Sequence, residues 1–197
     1  MRLILASDSP RRRELLETLG LVFEVESPDV DESRNPGEAP AAYVERIARE
    51  KAGAVAGPGR LVVAGDTAVV HEGKVLGKPA HPEEAMSMLR RLQGEHHEVF
   101  TGVAVVGWNE GPIEASVVDA TDVAILPMTD HEIASYVSSG EPMDKAGAYG
   151  LQGAGGRFVE KLTGSPFTVV GLPIHLLPRL IAKAGGDFET FLSDRPE

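Results

Sequence analysis

The chain has no cysteine among its 197 residues. That absence excludes disulfides, thiol catalysis and cysteine-ligated zinc together. Histidine does not fill the gap. His96 and His97 are adjacent, no His-Glu-x-x-His spacing occurs, and the pair is expected to pack or sit partly exposed rather than hold zinc. No apolar run approaches the roughly 18 residues that a membrane-spanning helix needs. The first apolar run is Leu3 to Ala6, and charge follows it, so the start does not read as a secretory leader. Internal repeats, low-complexity tracts and long linkers are also missing. A cytoplasmic globular protein is the expectation, with 42% hydrophobic and 25% charged residues.

Positive charge is the other scarcity. Lysine and arginine number 19 against 30 acidic residues, a net charge of −11. Such a balance argues against a nucleic-acid polymer or a membrane surface as partner. It does not exclude a small anion, because a few cations at turns can focus positive potential locally. The length suffices for one domain or two tightly joined lobes.

Where the basic residues sit is therefore informative. Arg2–Ala6 reads as a short buried strand, Ser7-Asp8-Ser9-Pro10 as a turn, and Arg11–Leu19 as a helix stopped at Gly20. A strand entering a helix through a serine-rich turn leaves free N–H groups at the positive end of the helix dipole. Three arginines there oppose the dipole, and an anion would relieve the conflict. Guanidinium suits phosphate because it donates two parallel hydrogen bonds.

Further along, a strand is expected at Phe23–Glu26, then an acidic, proline-bearing loop over 27–40. A helix over Ala41–Ala56 carries Tyr43, Ile47, Ala48 and Ala52 as its apolar stripe. Leu61–Gly65 reads as a strand buried on both faces. Ala68–His71 and Lys74–Leu76 read as a hairpin turning at Glu72-Gly73. Pro82–Leu92 is a helix with proline at its first position. His97–Val106 and Ser116–Ile125 are long strands, Asp130 caps a helix over His131–Val137, and 140–156 is turn-rich. Phe158–Leu162 is a strand and Pro173–Ala184 a closing helix. This order predicts an α/β fold with a mixed sheet flanked by helices.

Several residues carry chemistry. Asp66-Thr67 follows the buried run, which places an acid at the mouth of the sheet, where it can hold a metal or accept a proton from water. Lys51 and Lys78 each read alone as solvated lysines; together they could hold departing phosphate charge. Asp29, Asp31 and Glu32 form an acidic cluster, of which Glu32 is the candidate ligand for Mg²⁺ or Mn²⁺. The run Glu141 to Gly156 combines glycines, which let backbone approach a ligand, with Asp144, Lys145 and Gln152. Gln152 has the donor and acceptor needed to read a base edge.

Taken together, Ile4-Leu5-Ala6-Ser7-x-Ser9-Pro10-Arg11-Arg12, Gly65-Asp66-Thr67, Leu76-Gly77-Lys78-Pro79, the Asp144–Gly153 run and Val169-Val170-Gly171-Leu172-Pro173 resemble the Maf family, in family order over nearly the whole chain. The resemblance implies one Maf-like domain over 1–197, an elongated mixed α/β fold with two lobes around a deep nucleotide cleft, often dimeric. It implies a nucleoside triphosphate pyrophosphatase that cleaves between the α- and β-phosphorus with a divalent metal, Mg²⁺ or Mn²⁺. Asp66 falls on the family's proton acceptor, and Arg11, Thr67 and Gln152 on its substrate-choice positions. The Arg-Thr-Gln combination looks like the subgroup acting on dTTP and UTP, not the one acting on 7-methyl-GTP. On this basis Asp66, Lys51 and Lys78 are expected to be catalytic. Ser7, Ser9, Arg11, Arg12, Thr67 and Gln152 are expected to bind substrate, and Asp66 with Glu32 to hold the metal. Modified pyrimidine nucleotides are a neighbouring substrate class, and a nucleotide-binding regulator of septum formation is the alternative function. Two departures stand out: Gly65 where the family usually has Ala or Ser, and Gly164-Ser165-Pro166-Phe167, which touches packing more than chemistry.

Overall fold

A computed structural model describes residues 1–193. It contains seven strands in one mixed sheet, ordered β2-β1-β3-β5-β6-β7 with β4 paired to β3. The strands are β1 (Arg2–Leu5), β2 (Glu24–Val25), β3 (Arg60–His71), β4 (Lys74–Leu76), β5 (His96–Trp108), β6 (Pro112–Ile125) and β7 (Val159–Thr163). The helices are α1 (Pro10–Thr18), α2 (Pro40–Val55), α3 (Pro82–Leu92), α4 (Asp130–Ser138), α5 (Pro166–Val170) and α6 (Leu177–Lys183). β1 pairs in parallel with both β2 and β3, whereas β3–β4 and β6–β7 are antiparallel.

The chain divides into two compact units. The first comprises residues 1–66, 101–119 and the chain from 171 onward. Its core is built from small and β-branched side chains: Ile4, Val62, Ala64, Ala104 and Val106 on strands, against Ala48, Ala52 and Val55 of α2. The small residues bring α2 close to the sheet. A Cβ at Gly102 of β5 would lie 2.3 Å from the carbonyl oxygen of Val44, so only glycine admits the helix there. The second unit comprises residues 67–100 and 120–170. Its core is larger-grained, with Leu89, Leu92, Ile133, Tyr136, Tyr149 and Phe158 buried together.

Most sequence expectations hold within a residue or two. Three differ. β3 is one continuous strand, so Asp66 lies in its middle rather than at its end. α4 is capped by Thr129, not Asp130: the Thr129 hydroxyl accepts from Glu132 N while Glu132 accepts from Thr129 N, a reciprocal box that outcompetes a single Asp cap. The closing segment is split into a 3₁₀ turn at Ile174–Leu176 and the shorter α6, and α5 stands where no helix was expected. Pro166 starts α5, and Thr121 Oγ1 donates to the Ser165 carbonyl and accepts from Ser165 N, so the unusual Gly-Ser-Pro-Phe stretch does serve packing. His97 is buried edge-on against Tyr149, and His96 reaches Asp122 at the surface, as the packed-pair reading required. Among the described residues no helix is long and apolar enough to cross a membrane.

Candidate active site around Asp66

Within the first unit, parallel pairing of β1 with β3 runs to Leu5 and Val63, and Ala6 N still donates to the Val63 carbonyl. Beyond that point β1 gives way to the Ser7–Ser9 turn and α1, while β3 continues through Asp66. Asp66 therefore lies within β3, past the point where its parallel neighbour β1 ends, rather than at the end of its own strand. Ligand sites of α/β sheets occur at the carboxyl ends of parallel strands such as β1.

The Ser7 hydroxyl is buried and accepts hydrogen bonds from Ser9 N at 3.2 Å and from Arg12 Nη1 at 3.1 Å. Arg12 is itself buried, and its Nε donates to the Gly171 carbonyl at 2.8 Å. Burial lowers the Arg12 pKa from its ordinary value, with Asp66 and Glu32 acting in the opposite sense. The side chain lies along Gly65, where a Cβ would stand 3.3 Å from Arg12 Nε and 3.2 Å from the Gly102 carbonyl. The departure to glycine at 65 thus gives the guanidinium room. Ser9 is the N-cap of α1 but makes no side-chain cap, and the first turn of α1 holds no acid. Arg11 is half-buried in that turn, whereas Arg13 points away and pairs with Glu17 at 2.8 Å.

Lys51 is the largest surprise. It does not end a solvated segment; it sits on the buried face of α2 in register with Val44, Ile47, Ala48 and Val55. Its Nζ donates to Asp66 Oδ1 at 2.9 Å and pairs with Glu32 Oε2 at 2.8 Å. One ammonium thus joins two carboxylates, the arrangement that a buried lysine requires. Burial pushes the Asp66 carboxyl above the ordinary range, opposed by Lys51 and Arg12 and assisted by Glu32.

Glu32 reaches this cluster because the acidic loop is tied to α2. Tyr43 on α2 donates its hydroxyl to the Glu32 carbonyl at 3.0 Å. Arg46 forks onto Glu38 at 2.7 and 2.9 Å, donates to the Ser33 carbonyl at 2.9 Å, and pairs with Glu50. The Arg46 hydrogen bonds carry the Glu38 carboxyl down to about 2. Asp31, by contrast, is exposed and accepts from Ser33 N, shaping the turn.

In the first unit, then, Ser7 is hydrogen-bonded to Arg12 and Lys51 binds both Asp66 and Glu32, and these two carboxylates act electrostatically on Arg12. Thr67, Lys78 and Gln152 belong to the second unit, where Thr67 is half-buried in β3 and Lys78 and Gln152 are exposed. Three contributors escaped sequence reasoning: Tyr43, Arg46 and the Gly171 carbonyl. The Val169–Pro173 motif pointed at Gly171 without revealing that its carbonyl anchors Arg12.

A buried carboxylate paired with a buried lysine, with a fixed guanidinium beside it at a helix start, has the chemical capacity to bind a polyanion and to exchange a proton. The comparisons with known proteins narrow this class. The Maf family, described as Maf-like protein, matches residues 2–184. The dTTP/UTP pyrophosphatase of Anaeromyxobacter dehalogenans (strain 2CP-C) is 54% identical over 185 residues, covering 93% of this chain and 94% of its own. The proteins of the same name from Myxococcus xanthus (strain DK1622) and Vibrio cholerae serotype O1 are 48% and 46% identical, covering 93% and 92% of this chain and 92% and 97% of their own. The solved nucleoside-triphosphatase / dITP/XTP pyrophosphatase from Mycobacterium abscessus aligns over 94% of this chain and 97% of its own length at 16% identity, with a TM-score of 0.40. The chain belongs to the Maf family.

Proposed function

We propose that this protein is a nucleoside triphosphate pyrophosphatase that hydrolyses dTTP and UTP to the monophosphate and pyrophosphate. The observation that carries the chemistry is the buried Lys51–Asp66 pair beside Arg12. Relatives named dTTP/UTP pyrophosphatase, alike along more than nine-tenths of the chain, support the substrate.

Asp66 accepts the proton of the attacking water. Burial raises its pKa and makes it a stronger base than an exposed aspartate, while Lys51 and Arg12 favour its ionised form. The water oxygen bonds to the α-phosphorus, the bond from the α-phosphorus to the bridging oxygen breaks, and its electron pair leaves on the pyrophosphate. Arg12, held by Ser7 and Gly171 before substrate arrives, and Lys51 stabilise that charge without reorganising. Arg11 and the Ser7–Ser9 turn receive the remaining phosphate oxygens at the start of α1. The roles of Thr67 and Gln152 in sensing the pyrimidine, and of Lys78 as a further cation, rest on the family resemblance.

The residues fit a divalent ion of the Mg²⁺ or Mn²⁺ kind. Asp66 and Glu32 offer hard oxygen donors on either side of one ammonium. Such ions commonly take one or two carboxylates and complete their shell with phosphate and water. Bound there, the ion would neutralise phosphate charge and acidify a water.

Product analysis on a panel of nucleoside triphosphates with Mg²⁺ and with Mn²⁺ tests the reading. Pyrophosphate with dTMP or UMP is expected. Orthophosphate with a nucleoside diphosphate, or tight binding without turnover, would overturn it.

A further inference from the structure

The second unit contains a buried network that the chemistry above does not use. Tyr136 of α4 is fully buried, its ring edge-on to Phe158 at 5.5 Å, and its hydroxyl donates to Glu141 Oε1 at 2.9 Å. Glu141 follows α4 after the left-handed Gly140. Its carboxylate accepts two backbone N–H groups from further along the chain: Ala154 N on Oε2 at 2.9 Å and Gly155 N on Oε1 at 3.0 Å. The Tyr136 hydroxyl in turn accepts from Gly150 N at 3.3 Å. Two side chains at the end of α4 thus hold both ends of the turn over Gly150–Gly155. Gln152 lies exposed between those ends.

The glycines of the turn answer to this network. Gly153 has φ of 90°, where other residues are strained, and a Cβ there would stand 2.9 Å from Glu141 Oε2. A Cβ at Gly155 would stand 2.3 Å from the Tyr136 hydroxyl. Lys145 closes the near side: its Nζ donates to the Glu141 carbonyl at 2.6 Å and to Asp144 Oδ1 at 2.7 Å. The Glu141 carboxyl stays below its ordinary pKa despite the opposing cost of burial, because backbone donors from Gly155 and Ala154 and the Tyr136 hydroxyl favour its charged form.

We propose that Glu141, acting with the Tyr136 hydroxyl, is a positioning residue that holds the Gly150–Gly155 turn in the one shape from which Gln152 reads the pyrimidine. This rests on the reading of Gln152 as a base-sensing residue. Charged acceptors bind backbone N–H groups about twice as strongly as neutral ones, so a carboxylate here fixes the turn more firmly than an amide could. Glu141→Gln keeps the shape but sets an NH₂ group against a backbone N–H. Tyr136→Phe removes only the hydroxyl that both donates to Glu141 and accepts from Gly150.

The experiment compares Glu141→Gln, Tyr136→Phe, Gln152→Ala and the double variant E141Q/Q152A with the unaltered protein. Hydrogen exchange over 150–156 is read together with kcat and KM for dTTP, UTP and CTP. Glu141→Gln is expected to speed exchange in that segment and raise KM for dTTP and UTP about tenfold, with kcat changing less than about threefold. Preference for UTP over CTP should fall with it, and the double variant should match Gln152→Ala alone. Tyr136→Phe should move every readout the same way by less, and serves if Glu141→Gln does not fold. Unchanged exchange and preference in both clamp variants, with Gln152→Ala defective, would overturn the positioning role and leave base sensing standing. Unchanged preference in Gln152→Ala would overturn the base-sensing reading and this proposal with it.

Discussion

The two regions that the family motifs point to are built on opposite principles. Around Asp66 charged side chains pair with one another, Lys51 with the buried Asp66 and the exposed Glu32, and the buried Arg12 with Ser7 and a carbonyl. Around Gln152 a single carboxylate and one hydroxyl hold backbone, and the exposed side chain they present makes no part of the clamp. The first arrangement concentrates charge where screening is weak, so losing one partner leaves another uncompensated. The second fixes shape, so losing one contact loosens a turn. Chemistry should be brittle in the first region and selectivity graded in the second.

Asp66→Asn attacks the brittle side most directly. Turnover is expected to fall about 10³-fold with the far-ultraviolet dichroism unchanged, within the range that a positioned acid or base supplies. Turnover near that of the unaltered protein would remove Asp66 from the mechanism.

Lys51→Met is the next strongest. A fall of about 10²-fold in kcat/KM is expected from loss of a preorganised cation. The pH profile gives a second reading. In the unaltered protein the acid limb of kcat/KM should lie above the ordinary aspartate value of 3.8, because burial raises the Asp66 pKa. Lys51 opposes that rise, so its removal should move the limb to still higher pH. A limb that stays in place, or moves down, would mean another group titrates.

Arg12→Lys tests whether geometry or charge matters. A lysine keeps the charge but lacks the fork that spans the Ser7 hydroxyl and the Gly171 carbonyl. KM for dTTP is expected to rise about tenfold with a smaller change in kcat; an unchanged KM would make Arg12 a charge and nothing more.

The smallest effect is expected from Arg46→Gln, which unties the acidic loop from α2 without touching the Lys51–Asp66 pair. Limited proteolysis over 27–39 should quicken while kcat/KM falls only about threefold, in keeping with a half-exposed ion-pair network. The Glu38 carboxyl, depressed from 4.5 to about 2, contributes its stabilisation above the ordinary value and loses it as pH falls toward 2. The acid sensitivity of the loop should therefore shrink in this variant, with Asn35 N and Arg34 still favouring the charged carboxyl.

How far the site was legible depended on how local its causes are. α3 was placed at its observed ends, Pro82 and Leu92, because proline at the first turn and a regular apolar stripe act within one helix. The Glu72-Gly73 hairpin was equally local, with both residues at positive φ. Lys51 is not legible in this way, because a lysine on an apolar face counts as a solvated charge until its partners are known. Nor is Thr129 as the α4 cap, because its strength lies in reciprocity with Glu132.

The amino-acid sequence by itself determined the family, most strands and helices in their order, and the residue types proposed for the site, since motifs, periodicity and turn chemistry are properties of short segments. Only the tertiary structure decided which cations are buried and what holds them. The Lys51–Asp66 contact spans 15 positions and Arg12–Gly171 spans 159. The physical reason is that desolvation and pairing depend on which side chains meet in space. Those meetings exist only once α2 has closed on β5 at Gly102 and the chain beyond Val170 has brought the Gly171 carbonyl to Arg12.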